Sequence, residues 1–157
     1  MTLPALGQDD IVRFQAALSL YEQTDLPVKH YFSPGLYLRE IFMPKGTFVV
    51  GKLHATEHPN IISVGDCTVW TAHDGVKRYT GPNTWVSKAG VKKALYTHED
   101  TIWTTVHVTE TTDLIDLERE LIIDQPIDGG YCIEEVEYLA SSLRDSLMDI
   151  LHLEHRP

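Results

Sequence analysis

Apolar residues at Ile11, Phe14, Leu18 and Tyr21 follow the three-and-four spacing of one helical face, so a short amphipathic helix is expected behind Asp9 or Asp10 as its cap. Thr24 to Pro27 break that pattern, and Ser33-Pro34-Gly35 marks a turn. From Leu36 to Thr109 the period changes. Short β-branched and aromatic runs alternate with Gly, Pro, Asn and Asp roughly every ten residues, the pattern of a sandwich or barrel. Strands are expected at Leu36–Met43, Thr47–His54, Asn60–Val64, Cys67–Ala72, Val76–Thr80, Thr84–Ser87, Lys93–Thr97 and Thr101–Thr109. Asp74-Gly75 reads as a hairpin in a primed turn, because that pair takes positive φ readily. Pro44-Lys45-Gly46 and Gly81-Pro82-Asn83 are further turns.

After Thr109 the helical period returns. Leu114, Leu117 and Leu121 line one face behind a Thr112-Asp113 cap. Beyond a break from Gln125 to Gly130, a stripe of Ile133, Val136, Leu139, Leu143, Leu147 and Leu151 predicts a long final helix. Glu134 and Glu135 sit at its positive end and His152, His155 and Arg156 at its negative end. The expected class is therefore mainly β, an antiparallel sandwich with one N-terminal and two C-terminal helices. Its parts are a helix and linker over 1–35, a sandwich over 36–109 and a helical extension over 110–157. The last apolar stripe must be covered, by the chain's own sandwich or by a partner's, and the second arrangement makes a homodimer through the sandwich or the C-terminal helix.

A length of 157 residues, 43% apolar and 23% charged, suits one globular domain. No stretch approaches the roughly 20 apolar residues of a membrane helix, so no membrane partner is expected. Asp9 and Asp10 lie where an export signal carries its apolar core, which points to the cytoplasm. In that reducing compartment Cys67 and Cys132 read as small buried apolar residues. A formal charge of −10 repels phosphate backbones, and nucleic acid is not an expected partner. The sequence shows no phosphate loop, dinucleotide glycine pattern, Cys-x-x-Cys pair or nucleophile elbow.

Most of the eight histidines are scattered. His30, His73, His152 and His155 fall beside turns or at the terminus, where solvated or hydrogen-bonding roles are ordinary. His107 alternates with Trp103 and Thr105 on one strand face and reads as a satisfied sandwich histidine. The informative stretch is Gly46, five residues, Lys52-Leu53-His54, three residues, His58, six residues and Gly65. This spacing resembles the first motif of the cupin superfamily, with Lys52 at its first histidine and His58 at its glutamate. The second cupin motif survives in outline around Lys88-Ala89-Gly90, with Lys93 at its histidine and Thr97 at its asparagine. Gly51-Lys52-Leu53-His54, Glu57-His58-Pro59-Asn60, Trp85-Val86-Ser87 and Thr101 to His107 are similar to blocks in small cupin proteins encoded by tailed bacteriophages. The resemblance implies a jelly-roll sandwich with a degenerate metal motif, located, for a phage protein, in the cytoplasm of an infected bacterium.

On a straight strand His54 and His58 would share a face but stand about 13 Å apart, too far for one ion. Ala55-Thr56-Glu57 must therefore turn for the pair to chelate. A third ligand is then needed, and His98, in the turn His98-Glu99-Asp100 after the strand that normally supplies one, is the expected choice, with Glu57 and Glu99 as available carboxylates. Such a set suits a divalent transition metal: Zn, Fe, Mn or Ni. Glu57 is the candidate acid/base residue beside His58, or a turn-orienting group. Lys52 is a candidate for holding an anionic ligand, or an outward-pointing rim residue. Three readings stand: a metal-binding cupin with enzymatic action on a small molecule, a metal-free phage structural or interaction protein, and a regulator that binds an acidic small molecule.

Overall fold

A computed structural model describes residues 7–19 and 22–123. In chain order they form α1 (Gln8–Leu18), β1 (Val28–Ser33), β2 (Leu36–Met43), β3 (Phe48–Val50), β4 (His58–Val64), β5 (Asp66–Thr71), β6 (Gly75–Thr80), β7 (Asn83–Ser87), β8 (Lys93–Thr97), β9 (Thr101–Val108) and α2 (Leu114–Leu121). The final helix expected from Ile133 onward, the homodimer contact placed on it, and Cys132 lie outside the described residues. No helix among the described residues is long and apolar enough to cross a membrane.

The strands form two antiparallel sheets, one in the order β1-β2-β9-β4-β7 and the other β3-β8-β5-β6. Strict alternation decides what each sheet buries. Met43, Ile62 and Trp103 from the first sheet meet Cys67, Val69 and Leu95 from the second in one apolar cluster, which makes the pair a sandwich. Each such side chain contributes about 1.5–3 kcal/mol by leaving water. The outer face of the second sheet is covered by α1, whose Ile11 and Phe14 pack on Trp70 and Ala94.

Some polar groups inside the sandwich are paired with one another. Trp103 Nε1 donates to Asn60 Oδ1 at 3.1 Å, and Asn60 Nδ2 donates to Ser87 Oγ at 2.8 Å, tying β9, β4 and β7 together through a fully buried asparagine. At the end of β4, Gly65 has φ +128°, and an added Cβ would sit 2.6 Å from Thr101 Cα. Only glycine fits that crossing.

The structure corrects several sequence expectations. Val28–Ser33, left unassigned between two breaks, pairs along its whole length with β2 as an edge strand. The hairpin expected at Asp74-Gly75 has a three-residue connection, Ala72-His73-Asp74, because Thr71 pairs with Gly75, and of Asp74 and Gly75 only Gly75, the first residue of β6, takes positive φ, at 69°. The α1 cap is Gly7, whose N–H donates to Asp10 Oδ2 at 2.9 Å from inside the first turn. Most consequentially, β3 ends at Val50 rather than at His54, and the chain turns before β4 begins at His58. The expected Asp113 cap of α2 holds: its carboxylate accepts from the N–H groups of Ile115 and Asp116 at 3.1 and 3.0 Å.

Candidate metal centre

His54 lies on the connection between β3 and β4 yet is held by main-chain bonds on two sides. Ala55 N–H donates to Leu121 O and Ile123 N–H to Leu53 O, both at 2.8 Å, while Gly90 N–H donates to His54 O at 2.9 Å. The end of α2 thus works as a short strand beside the loop, with His54 bridged to Ile122. His58 opens β4 facing inward. Because Asn60 pairs with Thr105, the antiparallel register carried two residues further sets His58 opposite His107. The turn required of Ala55-Thr56-Glu57 is present, and it brings the rings of His54 and His58 to 4.3 Å between centroids instead of about 13 Å. His107 stands 5.1 Å from each of them.

One nitrogen from each ring completes a group of donors all within 4.8 Å of one another. Nitrogens about 2.0–2.1 Å from a single ion lie roughly 3.3–4.2 Å apart, so closure asks for less than about 1 Å of ring movement. The free nitrogens are identifiable. His58 Nδ1 is 2.9 Å from Thr56 O, and as donor there it leaves Nε2 as a lone pair. His107 Nε2 is 2.9 Å from Thr105 Oγ1. His54 Nδ1, His58 Nε2 and His107 Nδ1 are buried without a hydrogen-bond partner among the described residues. Three orphaned imidazole nitrogens converging on one point fit a transition metal.

Electrostatics keep these rings neutral. Burial, then the neighbouring imidazoles His58 and His107, then the charges of Lys93 and Arg39, push His54 down to about 2. Burial leads again for His107, with His58, Arg39 and Lys93 adding, and lowers it to about 4. His58 is lowered by burial, partly offset by its bond to the Thr56 carbonyl. Neutral rings are the form that binds metal, so protons compete little with an ion at neutral pH.

The other expected site residues are placed elsewhere. His98 follows the far end of β8 from Lys93, roughly 16 Å along the strand, and its Nε2 lies 2.7 Å from Thr68 Oγ1. The third imidazole at the centre is His107, which the sequence reading took for a satisfied core histidine. Glu57 has the opposite strand parity to His58 and is exposed, its carboxylate 3.5 Å from Lys88 Nζ. Glu99 likewise pairs with Lys45 at 3.6 Å. Lys52 stands at the rim, half exposed, with its ammonium bound to the Glu118 carboxylate. It lines the same cavity as His54 and His107.

A cavity of about 270 Å³ opens over the centre, walled by Tyr37, Arg39, His54 and His107 on the sandwich side and by Leu117 and Leu121 of α2 on the other. Neither a family profile nor a curated protein matches the sequence. Solved structures do match in fold. Ectoine synthase from P. lautus, 12% identical, superposes with a TM-score of 0.52 over 71% of this chain and 86% of that one. The cupin domain of Cnp3 from Schizosaccharomyces pombe matches at 18% identity and a TM-score of 0.46, covering 62% and 72%. A cupin domain from Bordetella pertussis matches at 10% and 0.45, covering 57% and 98%.

The sandwich shares its overall fold with the ectoine synthase structure. In this sandwich the spaced frame Gly46–His54–His58–Gly65 occupies the β3–β4 connection and its flanks. Lys93, aligned by sequence with the second-motif histidine, begins β8 on the face that also carries Leu95 into the core.

Proposed function

We propose that this chain is a metal-binding cupin of jelly-roll form that binds and acts on a small molecule, with His54, His58 and His107 holding one divalent transition metal. The carrying observation is the convergence of three buried imidazole nitrogens that have no other partner among the described residues. Three neutral nitrogen donors leave coordination positions open, and a metal there would polarise a bound oxygen or nitrogen group as a Lewis acid or exchange electrons with it. The protein's own part is to fix the rings. Thr56 and Thr105 orient two of them, the end of α2 pins the loop of the third, and the apolar wall of α2 shields the cavity from bulk water. The blocks similar to phage-encoded cupins support a phage origin.

Protein purified without added metal is expected to carry about one transition-metal ion per chain by elemental analysis, and a chelator should lower its melting temperature. Metal-free protein whose melting is indifferent to added Zn, Fe, Mn and Ni would contradict the proposal.

A further inference from the structure

Two cations face the same interior as the histidines. Arg39 sits on the inward face of β2, opposite Thr105 of β9, and forms part of the cavity wall. Lys93 comes from the opposing sheet, and its ammonium lies 5.7 Å from the centroid of the Trp103 ring. The charge of Lys93 is felt by all three imidazoles and that of Arg39 by His54 and His107; of the two, Arg39 lines the cavity and Lys93 faces the centre from the interior beside Trp103. Both are partly buried, and among the described residues neither makes an ion pair. Glu118, at the mouth, feels Arg39 but is bound to Lys52. A partly buried guanidinium and ammonium beside these histidines form a local positive well in which, among the described residues, neither cation is ion-paired, the nearby Glu118 carboxylate being bound to Lys52.

We propose that Arg39 and Lys93 form the anion-binding part of this site and that its ligand is a small organic acid, whose carboxylate docks on the Arg39 fork with Lys93 as the inner charge. A planar guanidinium matches a carboxylate bidentately, and an ammonium behind it adds charge without geometric demand. The remaining wall requires a carbon skeleton. Leu114, Leu117 and Leu121 line the side facing Arg39, so inorganic phosphate or sulfate would leave apolar surface uncovered. The volume of about 270 Å³ lies at the small end of ligand cavities, near 300 Å³, which selects a compact acid.

The inference deepens the metal-binding reading but is testable apart from it. Melting temperature and calorimetric affinity are measured on the full chain, metal-loaded and metal-free, with acetate, succinate, glutarate and benzoate, each beside its neutral amide and beside inorganic phosphate. At least one acid should bind about tenfold or more tighter than its amide and than phosphate. Arg39→Gln should remove that preference while leaving metal content unchanged, and Arg39→Lys, which keeps the charge and loses the fork, should fall between. Lys93→Met should weaken the same acid several-fold. Acids no better than their amides, phosphate preferred over every acid, or an unchanged preference in both Arg39 variants would overturn the proposal. A chain that takes up no added metal yet still prefers acid to amide upholds it while sinking the metal reading; a metal-loaded chain without the preference does the reverse.

Discussion

Each imidazole at the centre has one nitrogen available because its surroundings leave that atom with no other bond to make. Thr105 Oγ1 occupies His107 Nε2, which leaves Nδ1 buried without a hydrogen-bond partner. Thr105→Val keeps the shape and removes that anchor. It should weaken metal binding about 10–100-fold by competitive titration. Gly65 makes a contrasting case, where backbone rather than chemistry decides. Gly65→Ala forces a methyl against Thr101 Cα and demands positive φ of an L-residue, and should destabilise the fold by more than about 2 kcal/mol in denaturant titration. A change below about 0.5 kcal/mol would mean that the crossing of β4 past Thr101 is drawn wrongly.

At the scale of elements, α2 reaches the centre without supplying a ligand. Its Leu121 and the Ile123 that follows bond to the main chain on either side of His54, so the order of the helix end is coupled to the position of that ring. Asp113→Ala removes the cap, should cost about 1 kcal/mol, and should lower the melting temperature by roughly 2–4 °C. The same variant should weaken metal binding several-fold, although Asp113 touches none of the three histidines. The eight strands from β2 to β9 were legible in the sequence, because turn residues at regular spacing and alternating apolar positions are local signals. Edge strand β1 was not, since Lys29, His30 and Tyr31 face water and carry no alternation. The His54–His58 pair was legible from its spacing. His107 was not, because its part in the centre depends on which residue of β4 it faces, and register between strands distant in sequence leaves no local trace. His98 was chosen by nearness to a motif, and the far end of β8 is where that nearness misleads.

For the whole molecule, the shifted histidines tie stability to pH. In the metal-free chain the folded values of His54 and His107, about 2 and about 4, lie below the unfolded value near 6.5, and His58 is lowered too. The unfolded chain therefore takes up protons first as the solution is acidified. The stability due to neutral burial is complete above pH of about 6.5 and is lost as pH falls toward 4 and below, at up to about 1.4 kcal/mol per pH unit for each ring. Chemical denaturation of metal-free protein at pH 7.5, 6 and 5 should show this decline, and substituting His107 by Gln should flatten it.

The most direct test sets His107 against His98. Elemental analysis of the wild-type chain, His107→Ala and His98→Ala, each purified identically and confirmed folded by circular dichroism, should give about one transition-metal ion per chain for the wild type and for His98→Ala. It should give almost none for His107→Ala. Metal retained without His107, or lost with His98, would contradict the three-histidine centre.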